Sequence, residues 1–412
     1  MKFLFILDSV EYPLAPNPVL ARRVAACLAR KGHAVDLLEL WDGETPPPAA
    51  PGCRQFRLAF ADEREMNRAL EFGRAGGSPL PLRLARLTRH PSAVLAAVRQ
   101  LPLKRPRRVS AARREIERLD LLYHYDAAVA VAAPYAGSFA LAGAAFGGRK
   151  ASWQMDPYAA NRSYAAPGAW EKELELGLAM DCIFAAPTAN ADFAPGAPLY
   201  ALAGRVQTLD FPGLTPPVAF PSTSSPGTAL RCVFAGSLYP QLRTPHFALQ
   251  LFAALNAPDL LLTFLGGGWQ NYPPSLLPPY QELLGDRLAV AGPVPPARAA
   301  EAVANADVLL SLGNGVDNQV PSKLFEYLAS GKPILHLAKL ASDPCLPYLK
   351  KWPLACVVQE SEGLTEPVLA RVRSFLQQKG RRRLPFTEAA RLYPENTPEH
   401  AAALFERVLT AP

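Results

Sequence analysis

The residues best suited to chemistry follow apolar runs in the second half of the chain. The stretch "FAGSLYPQLRTP" places Gly236 and Ser237 after a predicted strand, with Arg243 seven residues beyond the glycine, and "FLGGGWQNY" places Gly267 in a glycine triplet. Ligands of open α/β sheets bind beyond the carboxyl ends of the strands, and glycines let the backbone approach a ligand closely. These stretches therefore predict a ligand site at the ends of two neighbouring strands.

A predicted helix start in "VPSKLFEYLASGKPIL" adds a place for an anion. Pro321 suits a first helical turn, the Ser322 oxygen can accept an orphan backbone N–H, and Gly331 marks the stop. The N–H groups of Ser322 and Lys323 would bind phosphate. Glu326, one turn further, would repel a phosphate, so we interpret it as a ligand for a neutral diol such as ribose. The alternative is an acid favoured only by the helix dipole.

The order of these motifs resembles that of a known enzyme family. A strand with Gly-x6-Arg, a strand with three glycines, then P-S-K-x-x-E and G-K-P is similar to the nucleotide-sugar half of the retaining glycosyltransferases of family 4. The resemblance implies an α/β fold of the GT-B type, with two Rossmann-like domains facing across a cleft and a C-terminal helix crossing back. It also implies that Gly236, Arg243, Ser322 and Lys323 hold the donor diphosphate, and that Glu326 binds the ribose.

The chain departs from the family pattern at three places. Asn318 stands where the family has an acid eight residues before the ribose glutamate, and Ser237 replaces an arginine. In "WQMDPY", Asp156 matches a family aspartate whose neighbouring histidine is missing. The resemblance implies retaining transfer in which Arg243 and Lys323 stabilise the leaving diphosphate. The catalytic candidates are Arg243, Lys323 and Asp156, and the donor contacts are Gly236, Ser237, Gly267, Asn318, Ser322 and Glu326.

Alternating apolar and amphipathic stretches predict two Rossmann-like domains. The alternation breaks in a segment rich in Pro, Ser, Thr and Gly and then restarts. We predict an N-terminal acceptor domain over 1–211, a linker over 212–229, a nucleotide-sugar domain over 230–380 and a return helix within 381–412. Residues 127–148 carry no charge, but Pro134 and two glycines interrupt them, so we predict a strand, a turn and a buried helix there.

Positive charge is concentrated in the segment that begins at Leu80 and ends at Arg118. It holds eleven Lys and Arg residues against two glutamates. In "LPLRLARLTRH" the leucines share one helical face and the basic residues lie beside it, a pattern typical of an interfacial helix. The segment favours an anionic membrane surface or an acidic acceptor, with a solvated basic face as the alternative. The sequence contains no nucleic-acid-binding module.

Composition excludes several other classes of protein. Half of the 412 residues are hydrophobic, enough for two cores, and the six cysteines show no C-x-x-C spacing. No Asp-x-Asp, H-E-x-x-H or Cys/His cluster is evident, so we predict neither a metal nor a cofactor besides the donor substrate. The first apolar run is too short for a signal peptide. We therefore expect a cytoplasmic protein, peripheral at the inner membrane face.

Three functions remain open from the sequence. The leading prediction is a retaining, metal-independent glycosyltransferase that moves a sugar from a nucleotide-diphosphate donor to a lipid-linked or polysaccharide acceptor. A nucleotide-sugar epimerase would also use paired Rossmann domains. A non-catalytic nucleotide-sugar-binding scaffold would explain Asn318 and the histidine missing beside Asp156.

Overall fold

The computed structural model describes residues 1–10, 15–41, 45, 47–60, 104–161, 167–218 and 229–410. The chain divides into two compact units. The first comprises Met1–Pro212 together with Pro398–Pro412, and the second comprises Gly213–Thr397. The main chain thus leaves the first unit once and returns to it once.

Each unit is built on one sheet. The described strands are β1 (Lys2–Val10), β2 (Ala34–Trp41), β3 (Arg54–Ala59), β4 (Ala127–Ala132), β5 (Arg149–Gln154), β6 (Cys182–Ala185), β7 (Val206–Thr208), β8 (Leu230–Ala235), β9 (Leu260–Leu265), β10 (Leu288–Ala291), β11 (Val308–Leu312), β12 (Ile334–Ala338) and β13 (Ala355–Gln359). The described α-helices are α1 (Pro16–Arg30), α2 (Lys104–Tyr123), α3 (Ala136–Gly143), α4 (Ala169–Leu178), α5 (His246–Leu255), α6 (Pro278–Leu284), α7 (Pro296–Asn305), α8 (Lys323–Ala329), α9 (Leu346–Lys351), α10 (Glu366–Lys379), α11 (Phe386–Leu392) and α12 (Pro398–Thr410).

The first unit contains a seven-stranded sheet in the order β3-β2-β1-β4-β5-β6-β7. All of its strand pairs are parallel. Its central strands β1 and β4 are nearly continuous apolar runs, as expected for strands buried on both faces. The apolar stretches "KFLFIL", "HAVDLLEL" and "DAAVAVAA" of the predicted alternation form β1, β2 and β4, which confirms them as strands.

The uncharged segment 127–148 forms a strand and a helix inside the first unit. Strand β4 is fully buried, and α3 follows after a short turn that contains Pro134. This confirms the predicted strand, turn and buried helix. Within the described part of the chain, no helix is both long and apolar enough to span a membrane.

Helix α12 completes the apolar core of the first unit. The fully buried ring of Phe405 packs edge-on against three other rings. Its centroid lies 5.8 Å from that of Phe5, 5.1 Å from that of Trp153 and 4.4 Å from that of Phe184. Burying an aromatic ring contributes roughly 1.5 to 3 kcal/mol, and edge-to-face contacts add to it. A segment distant in sequence therefore belongs to the centre of this core.

The second unit contains a six-stranded sheet in the order β10-β9-β8-β11-β12-β13. Its pairs are also all parallel. The predicted strands after residue 230 and the predicted helices near 247–255 and 296–304 are confirmed as β8 to β12, α5 and α7. Because the strands are parallel, the loops that follow β8, β9 and β11 lie at one edge of the sheet. This edge carries most of the candidate site.

Not every basic residue of the segment from Leu80 to Arg118 is exposed at the surface. Residues 80–103 lie outside the described residues. In α2, Arg108 is buried, and its Nε donates to Asp8 Oδ1 at 2.9 Å. Arg108 is therefore not available to a membrane, which corrects the sequence prediction. Its partner lies 100 residues away in the chain, so a local count of charges could not reveal the pair. The neighbouring Arg107 and Arg114 are exposed.

Candidate functional site

Two glycine-containing loops run against each other at the ends of β8 and β9. The N–H of Gly236 donates to Leu265 O at 2.8 Å, and the N–H of Leu238 donates to Gly267 O at 2.9 Å. Gly266 has a φ of +136°, and a Cβ there would collide with the carbonyl of Gly236. Only glycine fits this approach. The loops containing the predicted contacts Gly236 and Gly267 are thus adjacent, and Ser237 is exposed beside them.

Arg243 is fixed by a turn and by an asparagine. Its backbone pairs with that of Tyr239, with N···O distances of 2.9 and 2.8 Å. Its guanidinium donates to Asn314 Oδ1 from Nε at 3.2 Å and from a terminal nitrogen at 2.8 Å. Asn314 is buried and donates in turn to Gln319 O at 3.0 Å. The loop after β11 therefore orients the cation that follows β8.

Within the described residues, the side-chain hydrogen-bond partner of the Arg243 guanidinium is the neutral Asn314. Among the residues that the structure describes, no carboxylate forms an ion pair with Arg243. Burial lowers the pKa of its guanidinium, although nearby ionisable groups such as Cys345 and Tyr239 oppose that shift. A partly buried cation held in this way is stabilised when an anion binds. The geometry suits a phosphate group, which accepts hydrogen bonds from a planar guanidinium.

Helix α8 presents an exposed ion pair at its first turn. Lys323 Nζ lies 2.6 Å from Glu326 Oε2, and the two side chains are 39% and 50% exposed. Ser322 is the N-cap residue, but its side chain makes no capping hydrogen bond. This corrects the expectation that its oxygen caps the helix. In the described part of the chain, Glu326 contacts Lys323 and no core residue by hydrogen bond, so both side chains are accessible to a ligand.

Tyr327 ties this helix to the end of β8, a role that the sequence did not indicate. Its buried hydroxyl accepts the N–H of Ala235 at 2.9 Å. Burial raises the pKa of the phenol, which stays neutral. Helix α8 is thereby fixed against the strand that leads into the Gly236 loop. Asn314 and Tyr327 are the functional residues that sequence reasoning missed, and the Asn-Gly pair after β11 was the one available signal.

Three buried side chains of metal-binding types meet behind the loop after β11. Ligand atoms of His336, Asp343 and Cys345 lie within 4.8 Å of one another, although the sequence suggested no Cys/His cluster. The two ring nitrogens of His336 lie 2.9 Å from Ser311 Oγ and 3.2 Å from Asp343 Oδ2. Burial alone would raise the pKa of the Asp343 carboxyl, but its hydrogen bond with His336 lowers it.

This cluster supports the loop that holds Arg243. Asp343 Oδ1 accepts the N–H of Cys345 at 2.8 Å, so the carboxylate already has partners on both oxygens. A Cβ at Gly313 would collide with the same carboxylate, so the loop packs directly on the cluster. The contacts are those of a satisfied buried network. We therefore assign the three side chains a supporting role for the loop that begins at Gly313.

Asp156 lies in the first unit, whereas the other eight candidates lie in the second. It follows β5, and its backbone oxygen accepts the Tyr135 hydroxyl at 2.6 Å. Burial raises the pKa of its carboxyl, and a hydrogen bond from Asn17 opposes that shift. Asn17 also donates to Ala133 O at 2.9 Å. The segments that follow β1, β4 and β5 thus meet around Asp156, and Asn17 contacts its carboxyl group.

Two parallel sheets of seven and six strands, each with its own helices, define the GT-B fold. Many solved structures match the chain over almost its whole length, among them the following three. Sucrose-phosphate synthase from Thermosynechococcus elongatus is 14% identical, with 99% of this chain and 98% of that chain covered and a TM-score of 0.59. HepE from Anabaena, solved with UDP and glucose, is 12% identical, with 100% and 99% covered and a TM-score of 0.60. A putative UDP-N-acetylglucosamine 2-epimerase from Listeria monocytogenes is 11% identical, with 100% and 97% covered and a TM-score of 0.57.

These similarities establish the fold, which confirms the predicted α/β architecture of the GT-B type. No protein-family profile matches the chain, and no curated protein matches it by sequence.

Proposed function

We propose that this protein is a glycosyltransferase that moves a sugar from a nucleotide-diphosphate donor to a lipid-linked or polysaccharide acceptor. The observation that carries the proposal is Arg243, a partly buried cation held by the neutral Asn314 beside two glycine loops. GT-B structures that include an enzyme of sugar transfer and a protein bound to UDP and glucose support it.

The donor diphosphate binds at the carboxyl edge of the second sheet. In this proposal Arg243 and Lys323 neutralise the charge that develops as the sugar leaves. The N–H groups of Ser322 and Lys323 add dipoles that are already oriented before the reaction. Gly236, which has no side chain, lets the loop approach the diphosphate closely. In this proposal the transfer needs neither a protein nucleophile nor a metal, and it retains the configuration of the sugar.

The nucleoside binds beside the diphosphate. Glu326 accepts hydrogen bonds from the ribose hydroxyls once Lys323 turns from the carboxylate to the phosphate. Gly267 and Asn318 line the donor site, and Ser237 lies at its entrance. A UDP-sugar is the first donor to test, because HepE has been solved with UDP. In the first unit, Asp156 binds a hydroxyl group of the acceptor.

Replacing Glu326 by Ala is expected to weaken nucleotide binding about tenfold or more, because two charge-assisted hydrogen bonds are lost. Folding should be unaffected, since Glu326 is half exposed and pairs only with Lys323 among the described residues. The measurement is thermal unfolding against UDP, GDP, ADP, CMP and their sugar conjugates. A ligand at one hundred times its Kd adds about 2.7 kcal/mol to the free energy of unfolding.

The matched control is Glu301→Ala. Glu301 also forms an exposed i,i+3 pair, with Arg298 on α7, and is not a candidate contact. Equal nucleotide stabilisation of wild type, Glu326→Ala and Glu301→Ala would exclude the ribose assignment. No stabilisation of the wild type by any nucleotide would exclude the donor site itself.

An epimerase is the second candidate, because one matching structure is a putative UDP-N-acetylglucosamine 2-epimerase. The two functions differ in the need for an acceptor. Proton NMR of the protein with UDP-N-acetylglucosamine alone would show a new sugar epimer only if the protein is an epimerase. Nucleotide release that requires a sugar acceptor would support transfer. Binding without either product would indicate a non-catalytic scaffold.

We also propose that the enzyme acts at the cytoplasmic membrane face and docks through α2. Arg107, Arg114 and Arg118 are exposed, and Leu121 and Leu122 are 76% and 56% exposed. Replacing the three arginines by Gln should weaken sedimentation with anionic vesicles about 100-fold, since each basic residue contributes about 1 kcal/mol. Replacing Arg298, Arg371 and Arg391 of the second unit is the control. If both triple variants sediment like wild type, α2 is only a solvated basic face.

A further inference from the structure

A cavity lies in the second unit, at the edge of the sheet where β8 and β9 begin. Its volume is about 430 Å³, and it is lined by Leu230, Leu255, Ala257, Asp259, Leu260, Arg373, Leu376, Gln377, Gln378, Arg381 and Arg382. Leu230 and Leu260 are the first residues of β8 and β9. A strand of six residues spans about 17 Å, so this cavity is separated from the donor site by the length of β8.

The floor of this cavity is apolar. Leu255, Leu260 and Leu376 are 5% to 7% exposed, and Leu230 is partly buried beside them. A Cβ on Gly380 would come within 3.1 Å of Leu230, so the chain after α10 packs closely on the floor. An occupant in contact with these leucines would bury apolar surface, at about 25 cal/mol per Å².

The rim of the cavity is cationic. Arg373, Arg381 and Arg382 stand against one carboxylate, that of Asp259. Arg373 is engaged with Glu366 at 2.7 Å. The exposed Arg382 side chain makes no hydrogen bond or ion pair within the described part of the chain, and the exposed Arg381 donates to Ala229 O at 3.5 Å. The charge of the rim therefore favours an anion, and guanidinium groups suit a phosphate.

We propose that this cavity binds a phosphate-bearing amphiphile, with the phosphate at Arg381 and Arg382 and the apolar portion on the leucine floor. Inorganic phosphate would leave the leucine floor uncovered, and an uncharged alkane would form no ion pair with the rim. The shared chemistry is that of an alkyl phosphate, either a lipid headgroup in a membrane or a soluble ligand. This binding does not depend on the donor site.

The test is isothermal titration of the full chain with dodecyl phosphate below its micelle concentration, and with inorganic phosphate. Dodecyl phosphate should bind at least about tenfold more tightly than phosphate, because only it covers the floor. Arg381→Gln/Arg382→Gln should weaken its binding about 30-fold, since charged hydrogen bonds are lost. Gln377→Trp places a large side chain at the exposed wall and should also weaken it.

Arg371→Gln is the matched control. Arg371 lies on α10, the helix that carries Arg373 and Gln377. It pairs with Glu362 at 2.8 Å and does not line the cavity. Equal affinity of wild type and Arg381→Gln/Arg382→Gln for dodecyl phosphate would overturn the proposal, as would equal affinity of wild type for inorganic phosphate. Stabilisation by UDP should be unchanged in the double variant, so failure here is distinguishable from failure of the donor site.

A second arm identifies the source of the phosphate. The triple variant with Gln at positions 107, 114 and 118 is sedimented with vesicles that contain phosphatidic acid. In this variant the arginines of α2 do not contribute to membrane binding. If sedimentation of this variant is lost on adding the Arg381 and Arg382 replacements, the cavity takes a lipid headgroup. If titration with dodecyl phosphate depends on the two arginines but sedimentation does not, the ligand is a soluble phosphate.

Discussion

Arg243→Gln is expected to lower kcat about 100- to 1000-fold, the effect of removing one preorganised donor from a site where negative charge develops. Glutamine can still hydrogen-bond to Asn314, so the loop after β11 should keep its position. The measurement is sugar transfer from the donor identified by thermal unfolding, at saturating donor concentration. The kcat of Arg243→Lys should lie between those of wild type and Arg243→Gln. Lysine keeps the charge but lacks the planar pair of N–H groups that reaches Asn314.

The control for Arg243→Gln is Arg298→Gln, which removes an exposed cation of the same unit that pairs only with Glu301 among the described residues. It should leave kcat within about twofold of wild type, as expected for a surface pair. A kcat for Arg243→Gln equal to that of Arg298→Gln would remove Arg243 from the reaction. A loss confined to KM would instead show that Arg243 binds donor and transition state equally.

Arg108→Met should destabilise the first unit by about 3 to 5 kcal/mol, because it leaves the buried Asp8 carboxylate without its cation. The Arg108 Nε–Asp8 Oδ1 distance is 2.9 Å, both residues are buried, and Asp8 also accepts the N–H of Ala136 at 3.0 Å. Hydrogen exchange of peptides from β1 and β4 reports this unit separately from the second. Those amides should exchange faster, whereas amides of β8 and β11 should not.

A double variant distinguishes the stability lost to an unpaired buried charge from the stability lost to poorer packing. Asp8→Asn/Arg108→Met removes both charges and should recover roughly half of the stability lost in Arg108→Met. Arg118→Met is the control, because Arg118 forms an exposed i,i+3 pair, and exposed pairs contribute little to stability. If Arg108→Met behaves like Arg118→Met, the buried pair does not stabilise this unit.

The sequence predicted the central strands and the edge strand β10, but it missed the edge strands β3 and β13. Central strands such as β1 and β4 are apolar over most of their length, because both of their faces are covered. The edge strand β3 alternates between exposed and partly buried residues, and Arg54 and Arg57 pair with Asp36 and Glu39 of β2. The polar composition of β3 resembles that of a loop, so the sequence pattern did not indicate a strand. Strand β13 is also a short edge strand whose residues are only alternately buried.

The loops of the candidate site were predicted better than the contacts that orient them. Glycines after a strand are visible in sequence because the backbone approach requires that residue type, as at Gly236 and Gly267. Asn314 and Tyr327 act through partners 71 and 92 residues away, and His336, Asp343 and Cys345 meet only after folding. Such pairings depend on strand order, which short sequence patterns do not specify.

The position of Phe405 also sets an order of events during synthesis. All of the second unit, Gly213–Thr397, is translated before Phe405 is made. Until then the first unit lacks the ring that packs against Phe5, Trp153 and Phe184. The second unit can therefore begin to fold on the ribosome while the first, although begun earlier, still exposes an aromatic surface to chaperones. Unlike a simple string of domains, this chain closes its N-terminal core last.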